Sequence, residues 1–159
     1  MNIALLVIDV QKAFIGNRSN SIEYQNTMEV INAVSSIFRK SGKPVIIIRD
    51  IEEGNGDEYK NVDELIVHQD DIHIEKLHSN SFWKTDLEDI LKEKKVDFVV
   101  LCGNAAEYCV LATYNGARER GFGAAMLQHG IFSNYPMGLQ DLYNNRDLIS
   151  YEVISYLFK

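Results

Sequence analysis

Leu101-Cys102-Gly103-Asn104-Ala105-Ala106-Glu107-Tyr108-Cys109-Val110 reads as a buried strand, a glycine break and a helix that begins at a thiol. A cysteine at such a strand-to-helix switch faces the carboxyl edge of a sheet, where open α/β folds hold their ligands. The positive end of the helix dipole favours thiolate over thiol there. A lone cysteine is ordinarily core filling, and Cys102, inside the apolar run Phe98-Val99-Val100-Leu101, has that reading. Cys109 takes the other reading only if partners converge on it.

Working outward, Ile3-Ala4-Leu5-Leu6-Val7-Ile8 is a continuous apolar run closed by Asp9, as expected of a parallel strand covered on both faces. Met28, Ile31, Val34 and Phe38 recur at helical spacing, and Ser41-Gly42 ends that helix. Pro44 opens a second buried strand, Val45 to Ile48, which ends at Arg49-Asp50. Glu52 to Asp71 lacks clear periodicity and reads as a long surface loop with one short helical turn. Ile72-His73-Ile74-Glu75 alternates as a short strand leading into Lys76. Thr85-Asp86-Leu87-Glu88 has capping-box spacing and predicts a helix through Lys94. Val96 to Leu101 is a strand, Cys109 to Arg120 a helix, Ala124 to Leu127 a strand, Gly138 to Asn144 a short helix, and Ser150 to Leu157 a last amphipathic one. Strands alternating with helices predict a parallel sheet covered on both faces. The 159 residues suit one domain, 1–159, with no linker to divide it.

Composition narrows the functions. A net charge of −7 leaves no cationic stripe to neutralise phosphates, so no nucleic acid is expected as partner. The longest apolar runs are of strand length, which excludes a membrane-spanning helix. Two cysteines without a leader sequence point to free thiols in a reducing, cytoplasmic setting. The apolar, tyrosine-rich C-terminal segment (Tyr143, Tyr151, Tyr156, Phe158) points to self-association, and a homo-oligomer is expected.

Three ionisable residues fall at predicted strand or helix ends: Asp9, Lys76 and Cys109. In a parallel sheet such ends share one edge, so the three side chains can meet. Alone, Asp9 reads equally as a helix cap or an ion-pair partner, and Lys76 as a solvated surface lysine. Together they supply a base for the thiol proton and a cation for the thiolate. On this reading Cys109 reacts below the ordinary thiol pKa of about 8.5, while Cys102 stays silent.

Val7-Ile8-Asp9-Val10-Gln11-Lys12-Ala13-Phe14, an apolar strand followed by D-x-Q-x-x-F, resembles the opening motif of the isochorismatase-like cysteine hydrolases. Lys76, followed six residues later by Phe82 and then by Thr85-Asp86-Leu87, resembles their second motif. Gly103 to Thr113 resembles the third, G-x-x-T-x-x-C-V-x-x-T, with Ala106 where the family's threonine stands. The resemblance implies a three-layer α/β/α domain with a mainly parallel, Rossmann-like sheet and a catalytic triad of Asp9, Lys76 and Cys109. It also implies a cis peptide at Asn104–Ala105 and an oxyanion hole made by the amides of Ala105 and Cys109. The reaction implied is hydrolysis of a small amide-type C–N substrate through a thioester, with no cofactor. Phe14, Phe82, Trp83 and Tyr108 flank the motifs and are candidate walls of the substrate pocket. Two alternatives stay open: hydrolysis of an isochorismate-type vinyl ether, and a non-catalytic homologue that binds a metabolite or a partner protein. Nicotinamidases of the family hold a metal through a D-x-H pair after the second strand. Here Asp50-Ile51-Glu52 puts Glu in place of His, with only His68 and His73 nearby in sequence, so no metal is expected. His129-Gly130 likewise replaces the Asp-Ala pair that often ends the strand after the nucleophile helix.

Overall fold

The computed structural model describes residues 1–159. Six strands, β1 (Ile3–Ile8), β2 (Val45–Asp50), β3 (Ile72–Lys76), β4 (Phe98–Asn104), β5 (Gly123–Phe132) and β6 (Leu148–Ile149), form one sheet in the order β3-β2-β1-β4-β5-β6. Every pairing is parallel. The helices are α1 (Lys12–Ile15), α2 (Ile22–Lys40), α3 (Leu87–Glu93), α4 (Cys109–Glu119), α5 (Gly138–Asn145) and α6 (Tyr151–Leu157). The three-layer α/β/α expectation holds.

The two faces of the sheet follow from strand alternation. Ala4, Leu6 and Ile8 of β1 pack with Val99 and Leu101 of β4 against Leu87 and Leu91 of α3 and Val110, Tyr114 and Ala117 of α4. Ile3, Leu5 and Val7 point the other way, onto Met28, Ile31, Val34 and Phe38 of α2 and Ile154 of α6. With both faces covered, the strands carry apolar residues at nearly every position, which is why β1 and β2 are legible as unbroken runs.

Topology places the site. From β1 the chain builds outward through β2 to β3, then returns to the other side of β1 with β4. Between β1 and β4 the order reverses, and a crevice opens beyond their carboxyl ends. Asp9 follows β1 there, and α4 begins after β4 with Cys109 as its first residue. Gly103 lies in register with Ile8, and its φ of 108° together with an ideal Cβ only 2.0 Å from the Ile8 carbonyl oxygen leaves no other residue room.

Three local expectations are corrected. β5 runs to Phe132, well past Leu127: the ladder with β4 breaks between Leu101 and Gly103 and resumes at Ile131 and Phe132. His129, at φ 63°, turns the chain in that bulge, and its N–H donates to the Tyr143 hydroxyl. The capping box before α3 does not close. Thr85 Oγ1 accepts from Leu87 N, but Glu88 turns outward to Lys92 and Arg120. The segment between β2 and β3 is more than a surface loop, because Val62 and Leu65 are buried and the chain bridges back to Gln11 at Asn61. No helix is long and apolar enough to cross a membrane.

Candidate active site

Asp9, Lys76 and Cys109 converge at the carboxyl edge of the sheet. Lys76 ends β3 as a buried lysine, 1% exposed. Its Nζ lies 2.9 Å from Asp9 Oδ2, 2.8 Å from Asp50 Oδ2 and 3.4 Å from Cys109 Sγ. An ammonium has three N–H donors and no acceptor, so these three partners satisfy it completely. Asp9 is equally buried, and φ 51° turns it out of the strand into the left-handed region that Asp tolerates. Its second oxygen, Oδ1, has no hydrogen-bond partner within the protein. One carboxylate oxygen each of Asp9 and Asp50 and the Cys109 sulfur all lie within 4.8 Å of one another, so the Asp9 carboxyl and the thiol are close neighbours.

Asp50 is the member that the sequence reading left among metal candidates. It is in register with Lys76 across the β2–β3 pair and binds the ammonium directly. Gln11 fixes it: the side-chain amide donates to the carbonyls of Asp50 and Tyr59 at 2.8 and 2.7 Å and accepts from Asp50 N at 2.8 Å. The glutamine of the D-x-Q run thereby ties the end of β2 to the segment beyond it. Its motif position was a visible signal, but its function was not.

Burial and charge set the protonation states. Burial pushes the Asp9 carboxyl up to about 6, with Lys76 opposing. Burial alone would depress Lys76, but the Asp9 carboxylate, the Cys109 sulfur and Asp50 together hold its pKa above the ordinary lysine value. Cys109 is pushed up to about 12, first by burial and then by the negative charge of Asp9, which Lys76 offsets only in part. This direction is opposite to the expectation of a thiol ionised below its ordinary pKa. Both shifts favour a thiol over a thiolate beside Asp9, so the thiol proton has a neighbouring carboxyl to pass to during attack. Cys102 is fully buried, its Sγ directed at the Leu6 carbonyl, and burial raises its pKa further still.

The Asn104–Ala105 peptide is cis. Ala105 O accepts from Tyr108 N and Val110 N, while the N–H groups of Ala105 and Cys109 donate to no backbone carbonyl. Ala105 and Cys109 line one cavity. A cavity of about 360 Å³ opens over these groups, lined among others by Asp9, Phe14, Asn104, Tyr108 and Cys109. Of the four aromatic candidates, Phe14 and Tyr108 are brought to it. Phe82 lies in the core, stacked on Phe122 beneath the Arg120 guanidinium, and Trp83 is 52% exposed and lines no part of the cavity. The turn at residues 80–83 carries both away, because Trp83 N bonds back to Asn80 O. Ser79, Asn134, Glu52 and Glu53 also line the cavity, none of them named as a pocket wall from the sequence. They sit on irregular segments, where no periodicity shows which way a side chain points.

Comparisons with known proteins give the family and the fold. The model of the isochorismatase domain matches residues 3–144. The chain belongs to the isochorismatase family. Its relatives include the isochorismatase family protein YddQ of Bacillus subtilis (strain 168), 32% identical over 135 residues, 77% of this chain and 73% of that one. Among solved structures, N-carbamoylsarcosine amidase from Thermoplasma acidophilum superposes with a TM-score of 0.80 at 26% identity, covering 91% of this chain and 92% of that one. The pyrazinamidase of Pyrococcus horikoshii, solved in complex with zinc, shares the fold with a TM-score of 0.81 at 23% identity over 95% and 100% of the two chains. The family is hydrolytic, and amidases stand among its structural neighbours.

A metal site of the D-x-H kind does not fit the residues present. Asp50 gives Oδ2 to Lys76 and Oδ1 to Glu52 N, and the residue at the histidine position is Glu52. His68 pairs with Asp70, and His73 lies exposed on β3, opposite Ile47 in the ladder. The three candidate ligands Asp9, Asp50 and Cys109 already share a cation, the Lys76 ammonium.

Proposed function

We propose that residues 1–159 form one hydrolase unit that cleaves a small carboxamide-type C–N bond through a Cys109 thioester. The observation that carries this reading is the Lys76 ammonium bound to Asp9 Oδ2 and 3.4 Å from Cys109 Sγ, which joins a buried carboxylate and the sulfur in one cluster. In the first step Cys109 Sγ bonds to the carbonyl carbon as its proton passes to Asp9. The carbonyl oxygen takes the negative charge against the N–H groups of Ala105 and Cys109, each such donor contributing about 3–4 kcal/mol in comparable sites. The C–N bond then breaks, and Asp9 returns the proton to the leaving nitrogen. Water attacks the thioester with Asp9 again as base, releasing the acid and restoring the thiol. Lys76 stays charged throughout and stabilises each anionic stage. These steps are carried by the chain's own side chains and amides.

The test is a panel of small primary amides with ammonia release as readout, run beside Cys109→Ala, with mass spectrometry of a quenched reaction to trap the acyl-enzyme. Ammonia release lost in the variant, with an acyl mass on the Cys109 peptide, is the expected result. An unmodified Cys109 and no turnover would leave a ligand-binding homologue as the better reading.

A further inference from the structure

The connection that follows β5 is held more firmly than an exposed turn requires. Asn134, Tyr135, Pro136 and Met137 are exposed, yet two charged side chains from distant parts of the chain grip the segment. From one side the Arg18 guanidinium, in the turn after α1, donates to Ser133 O at 2.8 Å and to Asn134 Oδ1. From the other, the Glu107 carboxylate accepts from Asn134 N and Tyr135 N, both at 3.2 Å, and from the Ser133 hydroxyl. The Tyr108 and Tyr135 hydroxyls meet at 2.8 Å, a further tie to the nucleophile loop. Exposed connections are ordinarily loose, and ordering one costs conformational entropy. A clasp of this kind preorganises a residue for a ligand.

The residue it holds at the site is Asn134, which lines the cavity with Ala105 and Cys109. A guanidinium only donates, so the end of the Asn134 side-chain amide that faces Arg18 must be the oxygen. Arg18 thereby settles which way round that amide stands. With Oδ1 committed, what Asn134 offers a ligand is Nδ2 and its N–H donors. A carboxylate is best met by a charged donor, and no Lys or Arg lines the cavity. The acceptor matched to Asn134 is therefore uncharged, as a carbonyl is.

Resting on the amide-hydrolase reading, we propose that Asn134 is a specificity-determining residue whose Nδ2 donates to a second carbonyl of the substrate, beyond the reacting carboxamide. Arg18 and Glu107 are the positioning residues that hold it there. The substrate class is then a small carboxamide bearing a further uncharged carbonyl, favoured over a hydrocarbon amide of the same shape.

Two pairs of primary amides test this: 3-oxobutanamide against 3-methylbutanamide, and 4-oxopentanamide against 4-methylpentanamide. Within each pair a carbonyl oxygen replaces a methyl branch. Dissociation constants are read by NMR titration in Cys109→Ala, where no acyl-enzyme can form. At least one keto amide should bind about fivefold or more tightly than its hydrocarbon partner, the size of one net hydrogen bond. Adding Asn134→Ala, or Asn134→Asp, which keeps the size and removes the donor, should bring the pair within about twofold. Adding Arg18→Ala or Glu107→Ala instead should erase most of the preference while the hydrocarbon amide binds as before. Arg18→Ala on top of Asn134→Ala should change the preference no further. A merely structural role would weaken both members of a pair alike, and thermal melts check that each variant is folded. Equal binding within both pairs, no binding of any of the four, or a preference untouched by Asn134→Ala overturns the proposal. A preference unchanged in both Arg18→Ala and Glu107→Ala removes the clasp from it. Ammonia release by the native chain separates the two readings. Cys109-dependent release with a preference that Asn134→Ala leaves unchanged keeps the hydrolase and removes this proposal. No release from any of the four, with a binding preference that Asn134→Ala abolishes, does the reverse.

Discussion

Asp9 meets two opposed demands. As the proposed base it must be ionised, yet as a buried carboxyl it resists ionisation, and burial pushes its pKa up to about 6. The expected pH dependence follows. The kcat/KM for ammonia release should climb about tenfold per pH unit up to about 6 and stay level from there into the mildly alkaline range, since the thiol keeps its proton until about 12. A second ionisation near the ordinary thiol value would show instead that Cys109 reacts as a preformed thiolate. Stability runs the other way. The folded state holds the Asp9 proton more tightly than the unfolded chain, whose carboxyl titrates near 3.8. This contribution is therefore present below that value and is lost as pH rises through about 6. Asp9→Asn keeps the shape and removes the base, and should lower kcat by about 10²–10⁴-fold with KM little changed.

At the scale of elements, each side chain of the site is held at the end of a strand or, for Cys109, at the start of a helix. Lys76 closes β3, and its ammonium answers one carboxylate on each of two other segments, Asp9 after β1 and Asp50 in β2. Lys76→Met leaves those buried carboxylates without their cation and should destabilise the fold by about 3–5 kcal/mol near pH 8. The loss should shrink at pH 5, where Asp9 takes up a proton, and denaturant melts at the two pH values measure the difference. Gly103→Ala should cost about 3 kcal/mol or more, because the new Cβ meets backbone, the Ile8 carbonyl, and not a side chain that can swing away. How far these elements were legible in the sequence depended on burial. β1, β2 and β4 are covered on both faces and announce themselves as apolar runs. β5 hides its second half because Gln128-His129-Gly130 interrupts the run where the bulge forms. Asp9, Lys76 and Cys109 were legible because they stand at the ends of strands and helices. Asp50 was legible by position but not by role, since sequence spacing does not reveal that β3 pairs with β2 in a register that sets Asp50 beside Lys76.

For the whole molecule, the strand order has a further outcome. β3 occupies the margin of the sheet, bonded to β2 on one side only, and its five residues include two that are well exposed. Marginal, short and half-wet segments open locally with less free energy than the global unfolding of the centre. Lys76 sits on this edge strand, while Asp9 follows β1 and Cys109 begins the helix after β4, at the centre of the sheet. In a urea titration, ammonia release should therefore be lost at a lower concentration than far-UV circular dichroism, and amide hydrogen exchange should be faster along 72–76 than along 3–8 or 98–104. Coincident transitions would show β3 opening only with the sheet as a whole. The separated transitions expected here make the protein a reporter of its own margin. Conditions that leave its centre intact, such as mild heat or modest denaturant, would silence it reversibly, and stitching that one strand more firmly to its neighbour would widen the range over which it works.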